Sequence, residues 1–528
     1  MLESGMRRAR SAVVVILSLL LTAQIYAADP RLLAPKINTI LGDPDMARGF
    51  WGIEVVSLSS GQILYSQNAE KLFIPASNTK LFTTAAALAL IGPDYKCRTT
   101  VESAGTLDAQ GTLTGDLVLA GHGDPNLSGR VLPYSVRTER NQLAIKALED
   151  LADAIVQKGI KRVDGDVIAD DSYFAFERYG EGWTQDDLVW ADGAPVSALT
   201  INDNVLFVDI MPAHRAGEAA SVTITPFSDY YRVDNRIITT PAGTGRKIFI
   251  NREPGSMVLT LWGNMPLGDP GAKEALAVED PAAFAADIFR SLLEKRGVVV
   301  EGHTRTRHTE LASLSTFSVT ALASHGGGDT HTSSTGPKEP AVLASYDSRP
   351  LSDDVRVINK VSQNLHAEIL LRLLGREKGT AGTIEGGLEV LRGFLTQAGI
   401  SNEEYAFYDG SGLSRQNLVT PHAVVTLLQY AAKQPWGTLF AETLPVAGMD
   451  GSLADRMRNT PAQGLVLGKT GSLDHVKSLS GYATTVTGDR IVFSIFANNF
   501  DVPGHRAQDT IDAIVQAVVN DTPTHSVY

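Results

Sequence analysis

A chain of 528 residues is several times the usual length of one domain, so a single small module is excluded and more than one core is expected. Hydrophobic residues at 43% and charged residues at 20% exclude a disordered or collagen-like chain, and the net charge of −13 argues against nucleic acid as a general partner. A single cysteine, Cys97, excludes an internal disulfide and a thiolate-rich metal site, and reads as a small buried hydrophobe.

The chain opens with Arg7, Arg8 and Arg10, then an apolar run over 12–21, then Ile25-Tyr26-Ala27-Ala28 before Asp29-Pro30. A positive flank, a short apolar core and small residues at the exit predict a signal peptide over 1–28 and export to a bacterial periplasm. The apolar run falls short of the roughly twenty residues that span a bilayer, so loose association with the membrane is the alternative. Residues 51–56 and 63–65 read as two strands around Ser59-Ser60-Gly61-Gln62. Ile74-Pro75-Ala76-Ser77-Asn78-Thr79-Lys80 then leads into an Ala- and Leu-rich stretch stopped by Gly92-Pro93, which predicts a helix with Ser77 at its beginning.

From about 97 to 320 the chain changes to short β-branched runs, such as 117–119 and 222–224, interrupted by helical pieces at 142–158 and 281–296. Residues 324–340 are dense in Gly, Ser, Thr, His and Pro and read as a linker. Helical periodicity returns over 351–374 through Val355, Ile358, Ile369 and Leu373, residues 476–500 read as a hairpin, and Ile511, Ile514, Val515 and Val518 mark a final amphipathic helix. The first and last segments thus form one α+β body interrupted by a long β-rich insertion.

Ser77 and Lys80 are three residues apart at a helix start, so their side chains project from one face and meet. A serine hydroxyl needs a base to become a nucleophile, and a lysine serves when burial or another cation lowers its pKa. Ser362-Gln363-Asn364 lies in the later helical segment, and Lys469-Thr470-Gly471-Ser472 lies just before the hairpin. Ser-x-x-Lys, Ser-x-Asn and Lys-Thr-Gly in this order are the signature of β-lactamases and penicillin-binding proteins. There is no Gly-x-Ser-x-Gly elbow and no His-Glu-x-x-His, so neither an α/β-hydrolase nor a zinc protease is indicated, and no metal or cofactor is expected.

The chain resembles a class C low-molecular-mass penicillin-binding protein, the family of D-alanyl-D-alanine carboxypeptidases and endopeptidases with a large insertion between the first two motifs. The likeness extends to Asp-Leu-Val-Leu-Ala-Gly-His-Gly-Asp-Pro at 116–125, to 166–174 and 193–199 in the insertion, and to Asp409-Gly410-Ser411-Gly412-Leu413-Ser414-Arg415. It implies an α+β serine β-lactamase/penicillin-binding transpeptidase-like fold, an antiparallel sheet flanked by helices. A discontinuous catalytic domain would comprise 29–96 and 346–528, with a β-rich region of two subdomains at 97–345.

Residue by residue, the resemblance makes Ser77 the acylated nucleophile, Lys80 its base, Ser362 a proton relay and Asn364 a holder of the substrate amide. Lys469 and Thr470, with Gly471 completing the motif, would meet the terminal carboxylate, and the backbone N–H groups of Ser77 and Ser472 would form the oxyanion hole. A charged Lys469 would keep Lys80 neutral. Arg415 is expected to face the cleft, and Asp170 to bind the ammonium of a stem diamino acid. The implied substrates are peptidoglycan stem peptides, with β-lactams as covalent inhibitors. The alternatives are a β-lactamase, against which the missing Glu-x-x-Leu-Asn speaks, and a non-catalytic peptidoglycan-binding protein.

Overall fold

The structure is a computed structural model that describes residues 33–131, 144–226, 230–314 and 339–521. The predicted signal peptide and nearly all of the predicted linker lie outside the described residues. The elements that build the site are, in chain order, α1 (Leu33–Leu41), β1 (Phe50–Ser57), β2 (Ile63–Gln67), a one-turn 3-10 helix at Ala76–Asn78 and α2 (Thr79–Leu90). After the insertion come α3 (Leu351–Val361), α4 (Asn364–Lys378), α5 (Pro421–Ala431), β3 (Val466–Leu473), β4 (Val476–Thr484), β5 (Arg490–Asn498) and α6 (Gly504–Val519).

The five strands make one antiparallel sheet in the order β2-β1-β5-β4-β3, so the first strand of the chain pairs with the last. Strand alternation explains why both faces are covered. Ile53, Val55, Ile491, Phe493 and Ile495 point to the side packed by Ile37 of α1 and Ile511, Ile514 and Val515 of α6. Val492 and Phe496 point to the other side, against Phe82 of α2 and Leu427 and Leu428 of α5. The predicted hairpin and final helix are therefore found, and β3 is left as the edge strand on which Lys469 and Thr470 sit.

The predicted single helix over 351–374 is two helices. Ser362 takes a left-handed conformation with φ 63°, Gln363 is extended, and α4 begins at Asn364. Hydrophobic periodicity is blind to this break because each helix keeps its own buried stripe, including Val355 and Ile358 before it and Ile369 and Leu373 after it. The Ser-x-Asn motif is thus the joint between helices rather than part of one.

The β-rich insertion contains a five-stranded sheet ordered Thr304–Thr309, Val167–Ala175, Leu117–Ala120, Arg98–Ser103 and Ala341–Asp347, with Lys146–Gln157 and Pro281–Lys295 as its helices. Its outgoing and returning strands are antiparallel neighbours. They are fastened at the base, where the Cys97 N–H donates to Ser348 Oγ (2.9 Å) and the Ser348 N–H donates to the Cys97 carbonyl (2.8 Å). Cys97 is buried there, with its thiol pushed well up by desolvation.

Gly52 in β1 shows how tightly the sheet is packed. A Cβ at this position would lie 2.3 Å from the ring of Phe73, which is itself stacked on Phe50 at 4.5 Å and near Phe496 at 5.8 Å. The ring has no room to retreat, so Gly52→Ala is expected to destabilise the protein by about 1–3 kcal/mol. Thermal unfolding of the purified variant checks this, with a lower melting temperature as the expected result.

Candidate active site

The 3-10 turn Ala76–Asn78 presents Ser77 at the head of α2. Ala76 has φ 48°, an uncommon conformation for a residue with a Cβ. Opposing the turn is Gly412, also at positive φ, where a Cβ would fall 1.9 Å from the Ala76 carbonyl oxygen. Asn78 ties the turn to the sheet by donating to the Lys469 carbonyl (3.1 Å) and to Ser478 Oγ (2.8 Å), while Ser478 donates to the Pro75 carbonyl (2.9 Å). Gly471 packs directly against this turn.

One helical turn on, the fully buried Lys80 places its Nζ 2.8 Å from Ser77 Oγ, 2.6 Å from Asn364 Oδ1 and 2.6 Å from the Ser411 carbonyl oxygen. A neutral amine has two N–H bonds and one lone pair. Two of the three neighbours only accept, so the lone pair is left for the Ser77 hydroxyl. Desolvation brings the Lys80 pKa down to about 8, against the opposing pull of Asp409, Glu368 and Asp192.

Lys469, also fully buried, donates to Ser362 Oγ and to the Thr470 carbonyl, each at 2.8 Å. Burial and the nearby Lys80 push its pKa well below the usual lysine value. Carboxylates act on Lys80 to favour its ammonium form, whereas the charge acting on Lys469 is another cation. A bound substrate carboxylate would supply Lys469 with a counter-charge.

Ser77, Ser362, Asn364, Thr470, Ser472 and Arg415 converge on one cleft of about 690 Å³, with Lys80 and Lys469 buried behind its lining. Ser472 Oγ accepts from Lys477, and Thr470 Oγ1 is 2.7 Å from Ser452 Oγ. Arg415 reaches from the Gly-Ser-Gly loop to the insertion, 3.1 Å from Asp187 Oδ2 and 3.3 Å from Thr184 Oγ1. Asp170 is different and lies outside the residues that line the cleft. It stands directly opposite Arg307 on the neighbouring parallel strand, and its carboxylate accepts that guanidinium at 2.8 Å, which accounts for it as a cross-strand ion pair.

Sequence reasoning missed the groups that hold Lys80 in place. Glu368 Oε1 accepts the N–H groups of Gly410 and Ser411 (2.9 and 2.8 Å), and Asp409 accepts those of Gly412 and Ser414 (2.8 and 2.6 Å). These two buried carboxylates shape the loop whose Ser411 carbonyl touches Lys80. Asp192, from the insertion, adds its backbone carbonyl as acceptor for Asn364 Nδ2 at 3.0 Å. The Asp-Gly-Ser-Gly run was the available signal for the loop, but nothing in sequence points from Glu368 to residues some forty positions on.

A serine on a strained turn, a desolvated amine within hydrogen-bond reach of it and a second buried lysine on an edge strand are the components that serine acyl transfer requires. The chain belongs to the D-Ala-D-Ala carboxypeptidase 3 (S13) family, whose profile matches residues 33–326 and 320–520. It is a serine-type D-Ala-D-Ala carboxypeptidase by that membership, with the penicillin-binding α+β fold. It is similar to a D-alanyl-D-alanine carboxypeptidase of an Actinomadura species, with 33% identity over 96% of this chain and 90% of the relative. It is also similar to the D-alanyl-D-alanine carboxypeptidase DacB of Haemophilus influenzae, 25% identical over 85% of each chain. The crystal structure of penicillin binding protein 4 from Haemophilus influenzae shares the fold, with a TM-score of 0.75 at 23% identity over 92% of this chain and 98% of that one.

An amine acts as base only when unprotonated, so hydrolysis of a D-Ala-D-Ala peptide should rise with pH and level off above about 8. Asp192→Asn removes one carboxylate that favours the ammonium form, and should move that rise to lower pH. A pH profile of kcat/KM for both proteins measures the displacement and its sign.

Proposed function

We propose that Ser77 attacks the carbonyl carbon of the penultimate D-alanine while its proton passes to the neutral Nζ of Lys80. The observation that carries this assignment is the 2.8 Å Ser77–Lys80 contact, with the other two neighbours of Nζ fixed as acceptors. The developing oxyanion meets the backbone N–H groups of Ser77 and Ser472. The C–N bond breaks as the proton taken up by Lys80 is returned to the leaving amine through Ser362, so that Lys80 is neutral again for the attack of water and Lys469, 2.8 Å from Ser362, keeps its charge. Asn364 holds the peptide amide, and Lys469 with Thr470 receives the terminal carboxylate. Water then hydrolyses the acyl-enzyme ester. The same chemistry opens a cross-link when the leaving amine belongs to a second stem peptide.

β-Lactams follow as covalent inhibitors under this reading, since their strained amide occupies the position of the scissile bond. A penicillin binding protein 4 of Haemophilus influenzae with this fold has been solved in complex with a β-lactam. The β-lactamase alternative needs a group placed to activate the deacylating water; Glu368 and Asp409 are consumed by backbone N–H groups, and Asp474 lines the cleft without the spacing of a recognised deacylating base. We assign the catalytic body to 29–96 and 346–528, supported by the Cys97–Ser348 fastening, with 97–345 as the insertion. Export to the periplasm is supported by the residues of the first segment. Among the described residues no helix is long and apolar enough to cross a membrane.

Intact-mass measurement after penicillin exposure is expected to show one adduct per chain, lost over minutes or longer, and none on Ser77→Ala, which should also lack peptide turnover. Many penicillin turnovers per second with little adduct would make the protein a β-lactamase. Lys469→Ala is expected to penalise peptides ending in a free carboxylate more than their amides, by about 1.5–3 kcal/mol in kcat/KM, the strength of a charge-assisted hydrogen bond. Parallel steady-state kinetics on the acid and the amide read that difference.

A further inference from the structure

A buried histidine just after the second motif takes no part in the chemistry assigned above. With 3.6 residues per helical turn, residues two apart lie on roughly opposite sides of a helix. Asn364 lines the cleft, and His366, fully buried, faces the seam behind it. Its Nδ1 is 2.7 Å from Asp354 Oδ1 of α3, and its Nε2 is 3.3 Å from Asp203 Oδ1 of the insertion. A carboxylate oxygen only accepts hydrogen bonds, so both ring nitrogens carry a proton and the ring is an imidazolium. Burial works against that charge, and Asp354 and Asp203 overcome it, holding the proton above the usual imidazole range.

Asp203 is carried into the seam by an uncommon piece of backbone. Asn202, Asp203 and Asn204 all have positive φ, at 53°, 56° and 53°. The two asparagines bond within the insertion, Asn202 donating to the Val205 carbonyl and Asn204 to the Pro195 carbonyl, each at 2.8 Å. Asp203 instead crosses to the catalytic body. Its Oδ1 faces His366, and its Oδ2 accepts from Gln363 Nε2 (3.1 Å) and from Arg130. Gln363 is the extended residue between Ser362 and Asn364. One carboxylate therefore holds both the joint and the first turn of α4, while Asp354 holds the same imidazole ring to α3.

The seam is rich in acid. Asp124 is buried as well and is pushed up to about 7 by desolvation and by Asp354, with the Asn126 N–H and His366 opposing. Asp124, Asp203 and Asp354 thus gather around His366, and Arg130 pairs with Asp203. A neutral residue at 366 would leave Asp354 and Asp203 on either side of a gap with a positive charge removed from between them, which is costly in a buried site and would part the elements that meet at the joint.

We propose that His366 is a positioning residue for acyl transfer: its imidazolium, clamped between Asp354 and Asp203, fixes the joint so that Ser362 Oγ meets Lys469 and Asn364 Oδ1 meets Lys80. The proposal rests on the roles given to Ser362 and Asn364 above. Neither His366 nor Asp203 lines the cleft, so the insertion contributes to the rate here without touching substrate.

The test compares His366→Gln, Ser362→Ala and the double variant in the full protein, on a D-Ala-D-Ala peptide and on penicillin acylation followed by intact mass. His366→Gln is expected to lower kcat and the acylation rate at least tenfold per folded molecule, counted by near-ultraviolet circular dichroism, with KM within threefold. In the Ser362→Ala background the same change should cost less than threefold, because one of the groups that the joint places is already gone. A general loss of structure would instead multiply through both backgrounds. Asp203→Asn, which keeps the His366–Asp354 contact, is expected to show the same pattern with a loss of threefold or more, and retains its value if the histidine variant folds poorly. A kcat for His366→Gln within twofold of wild type, a loss confined to KM or to the folded fraction, or equal factors in both backgrounds overturns the proposal. A wild type that fails to turn over the peptide strikes the catalytic reading instead, and penicillin acylation still reads the effect of His366.

Discussion

The amine of Lys80 is the point on which the rest of the site converges. Taking a primary amine out of water lowers its affinity for a proton, and here that effect prevails over three carboxylates that oppose it. The opposition is informative. With less acidic surroundings the amine would be a weaker base, and with more it would hold its proton to a still higher pH. Glu368 and Asp409 therefore do two things together: they brace the loop that orients Nζ, and their charges adjust how firmly it holds a proton.

Backbone strain recurs around this centre. Ala76, next to Ser77, and Ser362, which itself lines the cleft, both have positive φ. Each such residue costs on the order of 1–3 kcal/mol. The surroundings that sustain them come from distant parts of the chain: Asn78 reaches the edge strand, Gln363 donates to Asp203 of the insertion at 3.1 Å, and Asn364 donates to the Asp192 carbonyl. The insertion is thus structurally part of the cleft wall, and not only an appendage beside it.

The catalytic triplet was readable because each motif is short and the order is distinctive. Strand β3, which carries Lys469, was placed only as the stretch before the hairpin, whereas the other four strands of the sheet were readable because β-alternation and turn residues are local signals. The break at Ser362 was not, since a single left-handed residue between two buried stripes leaves the hydrophobic pattern intact. Nor were the anchoring roles of Glu368 and Asp409, which depend on backbone N–H groups brought close only by folding. Asp170 misled for the converse reason: an acidic residue in a promising stretch gives no sign that Arg307, on a strand far along the chain, will claim it.

The central sheet also sets an order of assembly. β1 is hydrogen-bonded along its whole length to β5, which begins at Arg490, so the edge of the first strand stays open until almost the entire chain exists. Closing such a separation is slow, and an unpaired apolar strand is prone to pair wrongly meanwhile. The insertion has its own core and its ends are fastened together, so it can gain structure first and bring α2 toward α3. The large segment between the first two motifs leaves and re-enters the catalytic body at one point, so the step from α2 to α3 is short in space whatever its length in sequence.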